Sequence, residues 1–132
     1  MLRYLIDTNI CIYVIKNRSG ALRGRFRDNA GRLAISSITL GELRFGAEKS
    51  EQVAANHDAI DDFVARLALL PFAEGAAAHY GAIRAALERQ GAPSGHNDML
   101  IGGHARSEGL IVVTNNRREF DRMPGVMVEN WA

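Results

Sequence analysis

Leu110-Ile111-Val112-Val113-Thr114 (LIVVT) runs apolar without a break and ends on a hydroxyl. An alternating pattern would mark a strand with one wet face. An unbroken one marks a strand covered on both faces, as the parallel sheets of α/β proteins require. Gly109 stands just before it and closes a helix predicted over 98–108, for which Asn97 is the expected cap. "APSGHN" (92–97) reads as a loop. A further helix is predicted over 74–90, with His79, Tyr80, Ile83, Ala86 and Leu87 on one side and Gly91 as its stop. Downstream, a polar turn leads to "VMVE" (126–129), a last short strand.

The amino-terminal half repeats this alternation. "LRYLI" (2–6) reads as a short buried strand, with Thr8 or Asn9 available to cap a helix running to about Lys16. "NRSG" breaks it. A short basic helix follows over 21–29, "RLAIS" (32–36) is a second strand, and a helix follows over about 38–49. Val53, Ile60, Phe63, Val64 and Leu67 have the spacing of a one-faced helix over 53–67, and "LALLPF" holds a short strand near 69–71. Strands alternating with helices predict an α/β protein, a three-layer αβα sandwich around a mainly parallel sheet. With no repeat and no Pro/Gly/Ser-rich linker, residues 1–132 are expected to form one domain.

Net charge is +1, but its distribution is uneven. Residues 1–49 hold nine Lys+Arg against four Asp+Glu, with Lys16, Arg18, Arg23, Arg25, Arg27 and Arg32 close together. Arginine's planar fork suits phosphate, so these arginines are candidate nucleic-acid contacts. A solvated helix face would explain them equally. The lone Cys11 reads as a small buried hydrophobe. No signal peptide or membrane-length apolar run is seen, so a soluble, cytoplasmic protein is expected.

In parallel sheets function gathers at the carboxyl ends of strands. Four separated segments put acids or amides there: Asp7, Glu42, Asp98, and the group Asn115, Asn116 and Glu119. Each has a plain structural explanation. Asp7 fits an Asx-turn or a cap. "TLGE" (39–42) fits a capping box, with Thr39 as cap. Asp98 suits a helix amino terminus. Together they say more, because converging carboxylates repel one another and call for a proton or a cation. Mg²⁺ or Mn²⁺ prefers oxygen donors and keeps several waters, so a few carboxylates suffice. Such a site suits phosphodiester hydrolysis, in which the metal activates a water and screens the phosphate. His57, His79, His96 and His104 are scattered without zinc spacing.

"LIDTNICIYVI", "SSITLGELRFGAEKS", "GHNDMLIGGHARSEGLIVVTNNRREFDRMPGV" and the closing "VENW" closely resemble, in this order over nearly the whole chain, the PIN-domain toxins of the VapC group. The resemblance implies a PIN-like fold and a toxin that is a Mg²⁺-dependent (or Mn²⁺-dependent) endoribonuclease. It makes Asp7, Glu42 and Asp98 the metal ligands and catalytic acids. The family's fourth acid falls on Asn116, two residues after Thr114, and Asn115 and Glu119 are nearby substitutes. Thr8 matches the small polar residue after the first acid, with Asn9 beyond it as an orienting group. His96, before "ND", departs from the smaller or cyclic residue expected, and could meet phosphate or cap the loop. The resemblance also implies a homodimer, a VapB-type antitoxin that blocks the acidic groove, and contact with operator DNA only through that antitoxin.

Two other readings compete. A phosphatase using a covalent aspartate would need D-x-D after the first strand, but the chain reads Asp7-Thr8-Asn9. A non-catalytic binding module with a degraded metal site is the alternative that Asn116 keeps open.

Overall fold

The computed structural model describes residues 1–16 and 20–131. Its five strands are β1 (Tyr4–Ile6), β2 (Leu33–Ser36), β3 (Ala68–Leu70), β4 (Ile111–Val113) and β5 (Met127–Glu129). They form one sheet in the order β3-β2-β1-β4-β5, and every pairing is parallel. Seven helices, among the described residues, make the connections: α1 (Thr8–Ile15), α2 (Gly20–Asp28), α3 (Ser37–Glu48), α4 (Val53–Val64), α5 (Glu74–Arg89), α6 (His96–Glu108) and α7 (Arg117–Asp121).

Successive strand residues point to opposite faces, and this period of two builds the layers. Tyr4, Ile6, Leu33, Ile35 and Val113 face α1–α4, where they pack on Ile10, Cys11, Leu22, Leu43 and Ile60. Leu5, Ala34 and Val112 face α5–α7, where they meet Ile83, Leu87, Ile101, Ala105 and Phe120. The result is the three-layer αβα sandwich. Leu5, Ile6, Val112 and Val113 are fully buried, and truncating such a leucine or isoleucine to alanine costs about 2–5 kcal/mol. Cys11 is buried among them, as a small hydrophobe. No helix among the described residues is long and apolar enough to cross a membrane.

Connections divide by face. From β1 to β2 to β3 the chain passes through α1–α4. It then returns through α5 and α6 to β4, on the other side of β1, and through α7 to β5. The direction of winding therefore reverses between β1 and β4. In an open parallel sheet, this opens a crevice outside the carboxyl ends of those two strands.

Element ends differ from the sequence expectation for local reasons. Asp7, not Thr8 or Asn9, caps α1. Ser36 caps α3 through its hydroxyl, so Thr39 is a buried first-turn residue and the expected capping box is absent. Asn97 lies inside α6, which begins at His96. Leu110 closes α6 rather than opening β4: its amide donates to Ala105 O at 2.9 Å, over Gly109 at φ 68°. The polar turn after Thr114 contains α7. Close approach of α5 and α6 depends on Gly103, where a Cβ would lie 2.7 Å from the Tyr80 backbone nitrogen.

Candidate functional site

The crevice is built around Asp7, the residue following β1. Only 4% exposed, it accepts from the Thr8 amide on Oδ1 and from Thr114 Oγ1 on Oδ2, both at 2.8 Å. Thr114 follows β4, so this second bond ties together the two strands that flank the reversal. Burial pushes the Asp7 carboxyl above its ordinary range. The Thr114 and Thr8 bonds oppose that shift, and the charge of Glu42 adds to it.

Glu42 lies on α3, one turn in from its start. Its Oε1 accepts from Thr8 Oγ1 at 2.8 Å, and its Oε2 accepts from Asn97 Nδ2 at 2.6 Å. The Thr39 hydroxyl lies 3.2 Å from Thr8 Oγ1. Helices α1, α3 and α6 thus meet at one carboxylate, with donors far apart in the chain.

Asp98, half-buried in the first turn of α6, has its carboxyl pushed up to about 6. Burial is the largest cause, followed by the charges of Asp7, Glu119 and Glu42. Glu119, on α7, receives the Gly95 amide at 3.4 Å, and Arg122 stands 4.0 Å away. Asp7, Glu42, Asp98 and Glu119 therefore share one electrostatic neighbourhood, although they come from four different elements.

The other expected site residues divide. Thr8 and Thr114 are both bonded to the acids. Asn116 is exposed, and its backbone amide donates to Thr114 Oγ1 at 2.9 Å. Asn115 is half-buried beside it. Asn9 is exposed on the wall of a groove described below. His96 is exposed at the start of α6, with Nε2 3.0 Å from the Tyr80 hydroxyl.

The arginines are placed elsewhere. Arg18 lies outside the described residues. Arg32 precedes β2, at the amino end of the sheet, and its carbonyl accepts from the Arg3 amide at 2.9 Å. Arg23 and Arg27 line a separate cavity of about 620 Å³ between α2 and α4. Arg25 lies over the Trp131 ring, 5.3 Å from its centroid. The structure does not gather these residues into a rim at the acidic crevice. A groove of about 920 Å³ that reaches Thr8, Glu42 and Asn97 carries Lys16 and Lys49 instead, with Ile12, Phe45 and Leu100 among its apolar walls.

Sequence reading missed the role of Asn97, taken as a cap, and gave Glu119 no priority over the two asparagines. Glu119 lies on a helix of five residues, too short to show a period in the sequence. For Asn97, the bond to Glu42 spans 55 residues and has no local signature.

The donor chemistry suits a hard divalent cation. All four acids offer oxygen, and the mutual charge that raises Asp98 is what such an ion would relieve. Among the described residues, no group of three or more His, Cys, Asp and Glu stands ready to hold an ion as placed.

Comparison with known proteins agrees with this geometry. The PIN domain family matches residues 4–126. The chain is 52% identical, over the full length of both proteins, to the tRNA(fMet)-specific endonuclease VapC of Shigella flexneri. It superposes with a TM-score of 0.97, at 50% identity and with both chains fully covered, on a chain of the DNA-bound VapBC crystal structure from Salmonella typhimurium. A VapBC2 structure from Rickettsia felis, bound to a fragment of promoter DNA, gives 0.94 at 38% identity, covering 99% of this chain and all of the other. A buried acid at the winding reversal and three more around it thus sit in a chain that belongs to the PIN-domain family, in its VapC group.

Proposed function

We propose that this chain is the toxin of a VapBC-type toxin–antitoxin pair, an endoribonuclease that hydrolyses RNA phosphodiester bonds with Mg²⁺ or Mn²⁺. The observation that carries the reading is the meeting of Asp7, Glu42, Asp98 and Glu119 from separate elements at the winding reversal, close enough that the other three charges raise the Asp98 carboxyl. A surface cluster of acids with no task would spread apart or pair with arginine.

In this reading Asp7 and Asp98 are the principal metal ligands, and Glu119 rather than Asn116 supplies the fourth acid. Its charge acts on Asp98 more strongly than that of Glu42, which weakens the case for a degraded site. Bound there, the ion would activate a water and stabilise charge on the phosphate. The chain's own residues hold the acids for that task. Thr114 and the Thr8 amide fix both oxygens of Asp7. Thr8 and Asn97 fix Glu42. Burial and the neighbouring acids raise the Asp98 carboxyl, a shift that a bound cation would oppose.

The groove beside Glu42 suits an amphipathic antitoxin segment, with apolar walls, two lysines and an acidic end. A VapB-type antitoxin seated there would block access to the acids, and operator DNA would be met only through it. A homodimer belongs to the same reading. Arg23, Arg25, Arg27 and Arg32 would touch a distant part of a structured RNA, not the scissile phosphate. The experiment is to map cleavage ends in total RNA with and without Mg²⁺, for wild type and Asp98→Asn. The initiator tRNA is the first RNA to inspect, since the 52% identical relative is named for it. Metal-dependent ends lost in Asp98→Asn support the reading. RNA bound but never cut would favour the non-catalytic module.

A further inference from the structure

Asn97, expected from the sequence only as a helix cap, makes the shortest hydrogen bond to any of the four acids among the described residues, 2.6 Å to Glu42 Oε2. It sits on α6 immediately before Asp98, while Glu42 belongs to α3, 55 residues away. Thr8, on α1 immediately after Asp7, holds the other oxygen at 2.8 Å. The two donors that clamp Glu42 are therefore the immediate chain neighbours of Asp7 and Asp98. Any movement of Glu42 is coupled to the backbone carrying those two acids.

We propose that Asn97 is a positioning residue: its side-chain amide, opposite the Thr8 hydroxyl, sets the Glu42 carboxylate in register with Asp7 and Asp98. The inference rests on the metal-site reading above. Both clamps are neutral donors. A lysine or arginine in either place would hold the carboxylate equally well, but it would neutralise charge that the cation needs. An amide and a hydroxyl hold it and leave the pocket negative. Local helix chemistry does not demand the residue. Asn97 is a solvent-exposed residue inside α6, whose cap is Gly95. At that position aspartate would serve the helix amino terminus better, because a negative charge is favoured there.

That contrast separates the two roles. Asn97→Asp keeps shape and suits the helix, but it turns the donor into an acceptor facing Glu42. Asn97→Ala removes the donor alone. The measurements are Mn²⁺ affinity by titration calorimetry, the side-chain amide signal of Asn97 by NMR, and the split between kcat and KM on RNA. If Asn97 positions Glu42, its amide proton lies downfield in wild type and moves upfield in Glu42→Gln. Mn²⁺ affinity falls about threefold to tenfold in Asn97→Ala, whereas in Asn97→Asp the added negative charge offsets that fall, and the loss of the clamp is read there by kcat. kcat falls by about tenfold or more with KM nearly unchanged. Wild-type Mn²⁺ affinity and kcat in both Asn97→Ala and Asn97→Asp would overturn the proposal, as would an Asn97 amide signal indifferent to Glu42→Gln. Failure of the nuclease reading looks different: wild type itself would neither bind Mn²⁺ nor cut RNA, while the amide signal would still report the clamp.

Discussion

The acids at the crevice and the acids on the outer surface of α3 and α4 are held in opposite ways. On the α3–α4 surface, Asp61 pairs with Arg44, and Glu48 meets His57 at 2.6 Å. Arg44 also reaches the His57 ring at 3.0 Å, which links the two pairs into one network between the helices. At the crevice, Asp7 and Glu42 are held by two hydroxyls, a backbone amide and a side-chain amide, all neutral. Among the described residues, Glu119 alone of the four has a cation near, Arg122 at 4.0 Å. On the surface, Asp61 pairs with a cation of the chain itself. In the crevice, Asp7 and Glu42 take their hydrogen bonds from neutral donors, as a site built for an external cation should.

This contrast can be broken from either side. The largest effect is expected from removing charge at the crevice. Asp7→Asn and Asp98→Asn should each lower RNA cleavage at least about 100-fold, because the ion contributes several kcal/mol to the transition state and each tenfold is about 1.4 kcal/mol. Circular dichroism should remain that of the wild type, and a rate within threefold of wild type would remove these acids from the chemistry.

Next comes the neutral scaffold itself. Thr114→Val keeps volume but leaves buried Asp7 Oδ2 without its donor. An unsatisfied buried acceptor costs about 1–3 kcal/mol, and more when charged, so urea unfolding should show a loss of that size. An unchanged midpoint would mean that Asp7 has another partner or takes up a proton.

A smaller effect, of opposite sign, is expected from Asp98. Its carboxyl titrates near 6 in the folded chain against an ordinary value of 3.8, so the folded state binds the proton more tightly than the unfolded state. The metal-free protein should therefore lose stability as pH rises from about 4 to about 6 through this group. Asp98→Asn should remove that loss and stabilise the metal-free chain at pH 7 by about 1 kcal/mol, after discounting for its half-exposed setting. A destabilised Asp98→Asn would show instead that the carboxylate is favourably held without an ion.

The smallest effect belongs to the surface pair. Asp61→Asn should cost about 0.2–1 kcal/mol and leave cleavage unchanged, because exposed ion pairs contribute little.

The layout was legible in the sequence where local pattern and topology coincide. The unbroken apolar run at 110–113 and the buried Tyr4-Leu5-Ile6 announced strands covered on both faces, and the acids near strand ends followed from the α/β rule. Asp7, Glu42 and Asp98 do come together as that rule predicts. Short elements and distant tethers stayed hidden. Helix α7 has five residues, too few for a period, so Glu119 could not be preferred to Asn115 or Asn116. Thr8, Thr39 and Asn97 all read as helix caps, because capping is the near-neighbour use of such side chains. Their bonds across 34 and 55 residues depend on how α1, α3 and α6 converge. For Arg23, Arg25, Arg27 and Arg32 the sequence did not give the location, for a related reason. A cluster in sequence does not say which end of the sheet it will occupy, and Arg32 lies before β2, away from the acids that follow β1.

One measurement addresses the crevice most directly: Mn²⁺ titration of the purified, metal-free chain, followed by calorimetry at pH 7, for wild type, Asp7→Asn, Asp98→Asn and Asp61→Asn. Saturable binding to wild type and Asp61→Asn, weakened at least tenfold in Asp7→Asn and Asp98→Asn, is the predicted result. Equal affinity in all four proteins, or no saturable binding in any, would contradict a cation site at the reversal between β1 and β4.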